Sequence, residues 1–135
     1  PPQTMTFELL SGPGNAVLNP SNGVFNWRPL VAQQNSTNIF MVRVADSGSP
    51  SMSATNSFTL TVTPLSPPTV DSLSVDGAQI SLGVHGPLGP DYTVWSATNL
   101  TDWQPIQTNT PTASPFSITL TNGEPQRFYR LQLGP

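Results

Sequence analysis

Ser57-Phe58-Thr59-Leu60-Thr61-Val62-Thr63 alternates apolar and hydroxyl side chains without a fault, the pattern of a strand with one face on a core and the other in water. Phe58, Leu60 and Val62 are expected to face inward. The same period of two runs through Thr4-Met5-Thr6-Phe7-Glu8-Leu9, with Met5, Phe7 and Leu9 on one face and Thr4, Thr6 and Glu8 on the other. It recurs in Ile39-Phe40-Met41-Val42-Arg43-Val44, where Phe40, Val42 and Val44 point inward. Between these segments, Ala16-Val17-Leu18 and Val24-Phe25-Asn26-Trp27 flank Asn19-Pro20-Ser21-Asn22-Gly23, whose Asn-Gly pair supplies the positive φ of a tight turn. A hairpin is expected there. Helical periodicity does not last two turns anywhere, Leu30-Val31-Ala32-Gln33 being the one short candidate.

Downstream of these strands, Pro64-Leu65-Ser66-Pro67-Pro68 cannot continue a ladder, because proline lacks the donor and forces its neighbours extended. This places a first module at residues 1–64, a Pro-rich linker at 65–69 and a second small module at 70–135. In the second module, Val70 to Val75 and Ala78 to Val84 flank Asp76-Gly77, another hairpin signal, with Ile80, Leu82 and Val84 on one face. Further short strands are expected at 92–96, 103–106, 116–120 and 127–133, with turns at Asn99-Leu100-Thr101-Asp102 and Asn122-Gly123. Many short strands at close spacing define an all-β chain of two tandem sandwich modules.

Composition narrows the function classes. The 135 residues include 16 Pro and 10 Gly, no Cys, and only 8 % charged side chains, against about 25 % in ordinary soluble domains. There is no Lys, and the formal charge is −3, so the basic stripe that a nucleic acid or an anionic membrane needs is missing. No apolar run approaches the roughly 18–20 residues of a membrane-spanning helix, and no basic-then-apolar leader opens the sequence, which reads as mature or excised. The absence of Cys removes thiolate metal sites and cysteine nucleophiles. The absence of Lys removes Lys-linked crosslinking, so any fibre would be held non-covalently.

Residues 4–63 resemble the cadherin-like, Ig-like repeats of large bacterial surface and secreted proteins. The likeness rests on Gln3-Thr4-Met5-Thr6-Phe7, Leu10-Ser11-Gly12-Pro13, Asn19-Pro20-Ser21-Asn22-Gly23-Val24-Phe25-Asn26-Trp27-Arg28-Pro29, Phe40-Met41-Val42-Arg43-Val44-Ala45-Asp46-Ser47-Gly48-Ser49-Pro50 and Ser57-Phe58-Thr59-Leu60-Thr61-Val62. Residues 91–134 are similar to a C-terminal module common in secreted bacterial proteins, through Ala97-Thr98-Asn99-Leu100-Thr101-Asp102-Trp103 and Gln126-Arg127-Phe128-Tyr129-Arg130. The first resemblance implies an Ig-like or cadherin-like sandwich and a secreted or cell-surface location. That family carries an opening strand ahead of the point where these residues start, so the first module is expected to lack it. An open sheet edge, centred on Thr4, Met5, Thr6, Phe7, Glu8 and Leu9 or on its sandwich partner, then calls for backbone from outside, as in donor-strand complementation.

Catalytic chemistry has little to work with. His85 is the only histidine, and it alternates with Leu82 and Val84 toward a surface or a strand end rather than toward a triad. The acidic residues Glu8, Asp46, Asp71, Asp76, Asp91, Asp102 and Glu124 fall mostly in turns or at strand ends, not as an opposed pair. Asp46 is a calcium candidate, because the cadherin-like resemblance implies acidic ligands near its Asp-Ser-Gly turn, although no Asp-x-Asp cluster accompanies it. Trp95 and Trp103 flank the 99–102 turn and form a candidate sugar platform, while Trp27 is read as core. Asn35 and Asn99 match the N-glycosylation acceptor pattern, and 108–115 has the Ser/Thr/Pro composition of O-glycosylated segments. The expected function is therefore non-enzymatic and without cofactor: an extracellular surface, adhesive or filament-forming subunit, self-associating or joined to neighbouring domains. The alternative is a C-terminal carbohydrate-binding or accessory module of a secreted polysaccharide-degrading enzyme.

Overall fold

The computed structural model describes residues 2–121, 123 and 126–134. Asn122 of the expected 122–123 turn and Glu124 lie outside the described residues. The chain is all-β, and it divides into two compact units, Pro1–Pro64 and Leu65–Pro135.

Unit 1 contains β1 (Met5–Ser11), β2 (Val17–Leu18), β3 (Phe25–Asn26), β4 (Ser36–Asp46) and β5 (Ser53–Val62), with a single turn of 3-10 helix at Val31–Gln33. The long strands form an antiparallel sheet in the order β1-β4-β5, and β2 pairs only with β3. The β2–β3 connection closes as its Asn-Gly pair requires: Asn19 Oδ1 accepts from the Ser21 and Asn22 amides, and Gly23 takes φ +71°. A methyl group at Gly23 would also stand 2.9 Å from Phe7 Cε1. Gly23→Ala therefore combines a left-handed backbone with a side-chain clash, and is expected to cost unit 1 about 1–3 kcal/mol. A urea titration followed by Trp27 fluorescence checks this, and an unchanged midpoint would refute it.

Unit 2 contains β6 (Thr69–Asp76), β7 (Gln79–His85), β8 (Tyr92–Ala97), β9 (Gln104–Asn109), β10 (Phe116–Thr121) and β11 (Phe128–Leu133). They form two antiparallel sheets, β10-β7-β6 and β11-β8-β9. Alternate residues of both sheets meet in one core of Ile80, Leu82, Val84, Tyr92, Val94, Ile118 and Leu120, with Phe116, Tyr129, Leu131 and Leu133 packed around it, which makes the unit sandwich-like. The Tyr92 ring lies edge-on to Phe116, at 4.9 Å between centroids, and its hydroxyl donates to the Pro87 carbonyl at 2.6 Å. Gly77, in the β6–β7 turn, has φ +56°, as its Asp-Gly sequence foretells.

The two ends of the alternation argument differ. Ile80, Leu82 and Val84 are all buried, as expected, but Met5 is 60 % and Leu60 38 % exposed. Their register is on the core side, yet neither is buried.

Candidate functional site

Cross-strand partners on an antiparallel sheet share a face. On β1-β4-β5 the pairs Phe7 and Val44, Leu9 and Val42, then Phe40 and Phe58, Val42 and Asn56, Val44 and Ala54 therefore line one side. Aromatic rings roof only one end of it. Phe25 is edge-on to Phe40 and Phe58 at 5.0 and 5.3 Å, Trp27 lies 5.0 Å from Phe40, and Phe40 stacks on Phe58 at 5.2 Å. Trp27 Nε1 donates to Asn15 Oδ1, which holds the indole in place, and Phe40 is the one fully buried large apolar residue described in unit 1.

Length explains why the roof stops. β4 has 11 residues and spans about 36 Å at ~3.3 Å per residue, whereas two-residue strands reach about 7 Å. Toward the Asp46 end, Val42 and Val44 are half-buried while Ala54 and Asn56 are exposed. A depression of about 210 Å³ opens there, lined by Met5, Val44, Ala45, Asp46, Met52, Ser53 and Ala54. Met52 is 68 % exposed at its rim. It was not foreseen as a functional residue, because it sits in the Asp46–Ser53 connection rather than in an alternating run.

The rim is tied down by Asp46. Its Oδ1 accepts from the Met52 amide at 2.8 Å and the Gly48 amide at 3.0 Å, and these bonds, Met52 first, hold the carboxyl below its ordinary value. Ser51 Oγ donates to the Asp46 carbonyl. Both of these backbone bonds go to Oδ1, and no group of three or more His, Asp or Glu side chains that could hold a metal occurs among the described residues. β1 is the edge strand of its sheet. Phe7 N–H donates to the Pro20 carbonyl at 2.9 Å, and Thr4 N–H donates to Ser47 Oγ at 3.0 Å. On the opposite face, Glu8 and Arg43 form a solvent-exposed ion pair at 3.8 Å, worth little in water.

In unit 2, Trp95 and Trp103 come together through a residue the sequence did not single out. Arg130 Cζ lies 5.0 Å from the Trp95 ring centroid and 4.7 Å from that of Trp103, over both indoles. Trp95 is directly opposite Arg130 in the β8–β11 register, a non-local pairing. Alternation of Tyr129, Leu131 and Leu133 inward was the available signal that Arg130 faces out, but nothing local places it beside Trp95. The Asn99 side chain organises the adjoining turn: Oδ1 accepts from the Thr101 and Asp102 amides, and Nδ2 donates to Asp102 Oδ2 at 2.7 Å. Asn99 and Asn35 are both exposed, the latter at φ +55°. His85 stands exposed at the end of β7, opposite Thr69. Among the described residues no helix is long and apolar enough to cross a membrane.

No family model, curated protein or solved structure matches the chain.

Proposed function

We propose that this chain is a non-enzymatic extracellular structural protein, a surface, adhesive or filament-forming subunit in which a β-strand of a neighbouring copy completes unit 1. The carrying observation is the half-roofed face of β1-β4-β5, where Met5, Val44, Met52 and Ala54 line an open apolar depression. A strand laid there gains apolar burial, of order 25 cal/mol per Å², and β1, an edge strand whose Phe7 N–H alone is taken by Pro20 among the bonds described above, offers it backbone partners. The cadherin-like resemblance of residues 4–63 supports the same arrangement, and the scarcity of charge keeps such contacts free of repulsion. Repeated head-to-tail contact of this kind generates an open filament rather than a closed ring.

Size-exclusion chromatography combined with negative-stain microscopy tests this. The native chain is expected to run as concentration-dependent assemblies. Met52→Glu, a change at an already exposed side chain, is expected to shift the population at least about tenfold toward monomer by placing a charge on the contact. A native chain that stays a monodisperse 14.4 kDa monomer at every concentration overturns the proposal.

A further inference from the structure

Unit 2 carries a second site, independent of strand completion. We propose that Arg130, with Trp95 and Trp103, binds a carboxylate-bearing saccharide of the uronate class on the outer face of β11-β8-β9. Tyr92, Val94 and Ser96 of β8 are buried, so Thr93 and Trp95 face away from the core. The register then arranges two rows on that outer face: Trp95 between Pro105 and Arg130, and Thr93 between Thr108 and Gln132. The rows are two residues apart along the strand, about 7 Å, a separation a single pyranose ring bridges.

The charge at this site is unusual for the chain. There are four Arg against seven acidic residues, yet Arg130 makes no ion pair among the described residues and is balanced only by the two indole faces. Asp102, beside Trp103 in sequence, is turned toward the Asn99 amide instead. A guanidinium whose faces are taken up by rings keeps its in-plane N–H donors for a ligand, and a carboxylate fits that fork with two parallel hydrogen bonds. Trp95 Nε1, by contrast, is buried and without an acceptor, so the indole contributes its ring rather than its N–H. The neighbouring row, Thr93, Thr108 and Gln132, supplies the uncharged hydrogen-bonding groups that sugar hydroxyls require. Thr93 and Thr108 hydroxyls already lie 3.4 Å apart. An anion alone would be served by Arg130; an aromatic wall plus a strip of hydroxyls and an amide fits a flat, polyhydroxylated ring that carries the charge.

The experiment titrates the full chain with a short oligogalacturonate, with its methyl ester and with acetate, following the indole N–H resonances of Trp95 and Trp103, with Trp27 of unit 1 as the internal reference. The acid oligomer is expected to move both resonances, with the ester at least about tenfold weaker because it cannot form the charge-assisted pair. Arg130→Ala is expected to reproduce that loss and Arg130→Lys to recover part of it. Equal affinity for acid and ester, no shift with either, or acetate binding as well as the oligomer would each overturn the proposal. The acid-against-ester comparison uses the native chain, so it decides the matter even where a variant fails to fold.

Discussion

Phe40→Ala is expected to unfold unit 1 while leaving the unit 2 core folded. Phe40 is fully buried, touches Phe25, Trp27 and Phe58 through its ring, and is the residue on which the short β2–β3 ribbon rests. Truncating a buried Phe costs about 3–5 kcal/mol, transfer and cavity together. A unit of 64 residues has a net stability of about 3–10 kcal/mol at ~0.05–0.15 kcal/mol per residue, and this one begins with half its face uncovered. The loss therefore consumes most or all of the margin. The readout is the amide spectrum: dispersed resonances of residues 5–62 collapse, while those of Ile80, Val94 and Ile118 persist. Ile39→Ala, one residue away on the outer face and 63 % exposed in the native chain, should change stability by no more than about 0.5 kcal/mol. Comparable effects of the two substitutions would show that the aromatic roof does not hold unit 1 together.

Tyr92 is the corresponding position in unit 2, and there the apolar and polar contributions separate. Tyr92→Ala removes a fully buried ring packed on Phe116 and is expected to cost about 3–5 kcal/mol. Tyr92→Phe keeps the ring and removes only the hydroxyl that donates to Pro87, which costs about 0.5–1.5 kcal/mol. Burial pushes the Tyr92 phenol above its ordinary value of 10.0. The folded state then holds a proton that the unfolded state releases, so this contribution is intact below about pH 10 and disappears as the pH rises through the raised folded-state value. Chemical denaturation across that range, read by near-ultraviolet circular dichroism, should show the native protein losing stability that Tyr92→Phe does not lose. Parallel pH profiles for the two proteins would contradict the assignment.

What could be read from the chain followed from what is local. The alternation in Ser57–Val62, Phe40–Val44 and Ile80–Val84 gave strands with the correct inward set, because a period of two is a property of neighbouring residues. Gly23 and Gly77 marked their turns because positive φ has its own residue preference. Extents were harder. The strand expected at 103–106 runs from Gln104 to Asn109, leaving Trp103 in the loop, where its Nε1 donates to the Leu100 carbonyl. Burial was harder still, since Met5 and Leu60 obey the alternation and yet stay exposed. For the candidate sites the same division holds. Trp95 and Trp103 stood out by residue type, but Arg130 reaches them only through the pairing of β8 with β11, 35 positions apart by the Trp95–Arg130 register, and pairing partners are not encoded in any short window.

One edge of unit 2 completes the account. All eight residues of β6 are exposed, although Val70, Leu73 and Val75 pair with the buried Val84, Leu82 and Ile80 and so stand on the core side, at 50, 65 and 61 % exposure. Such a strand is ordinarily a template for uncontrolled stacking. Here the ladder is offset between Val70 and Ser72, with the Asp71 carboxylate inside that offset and the Asp76 carboxylate at the end of the strand. An incoming strand meets a crooked rail with one negative charge in its bend and another at its far end, features that work against amyloid-like growth at β6 without burying it.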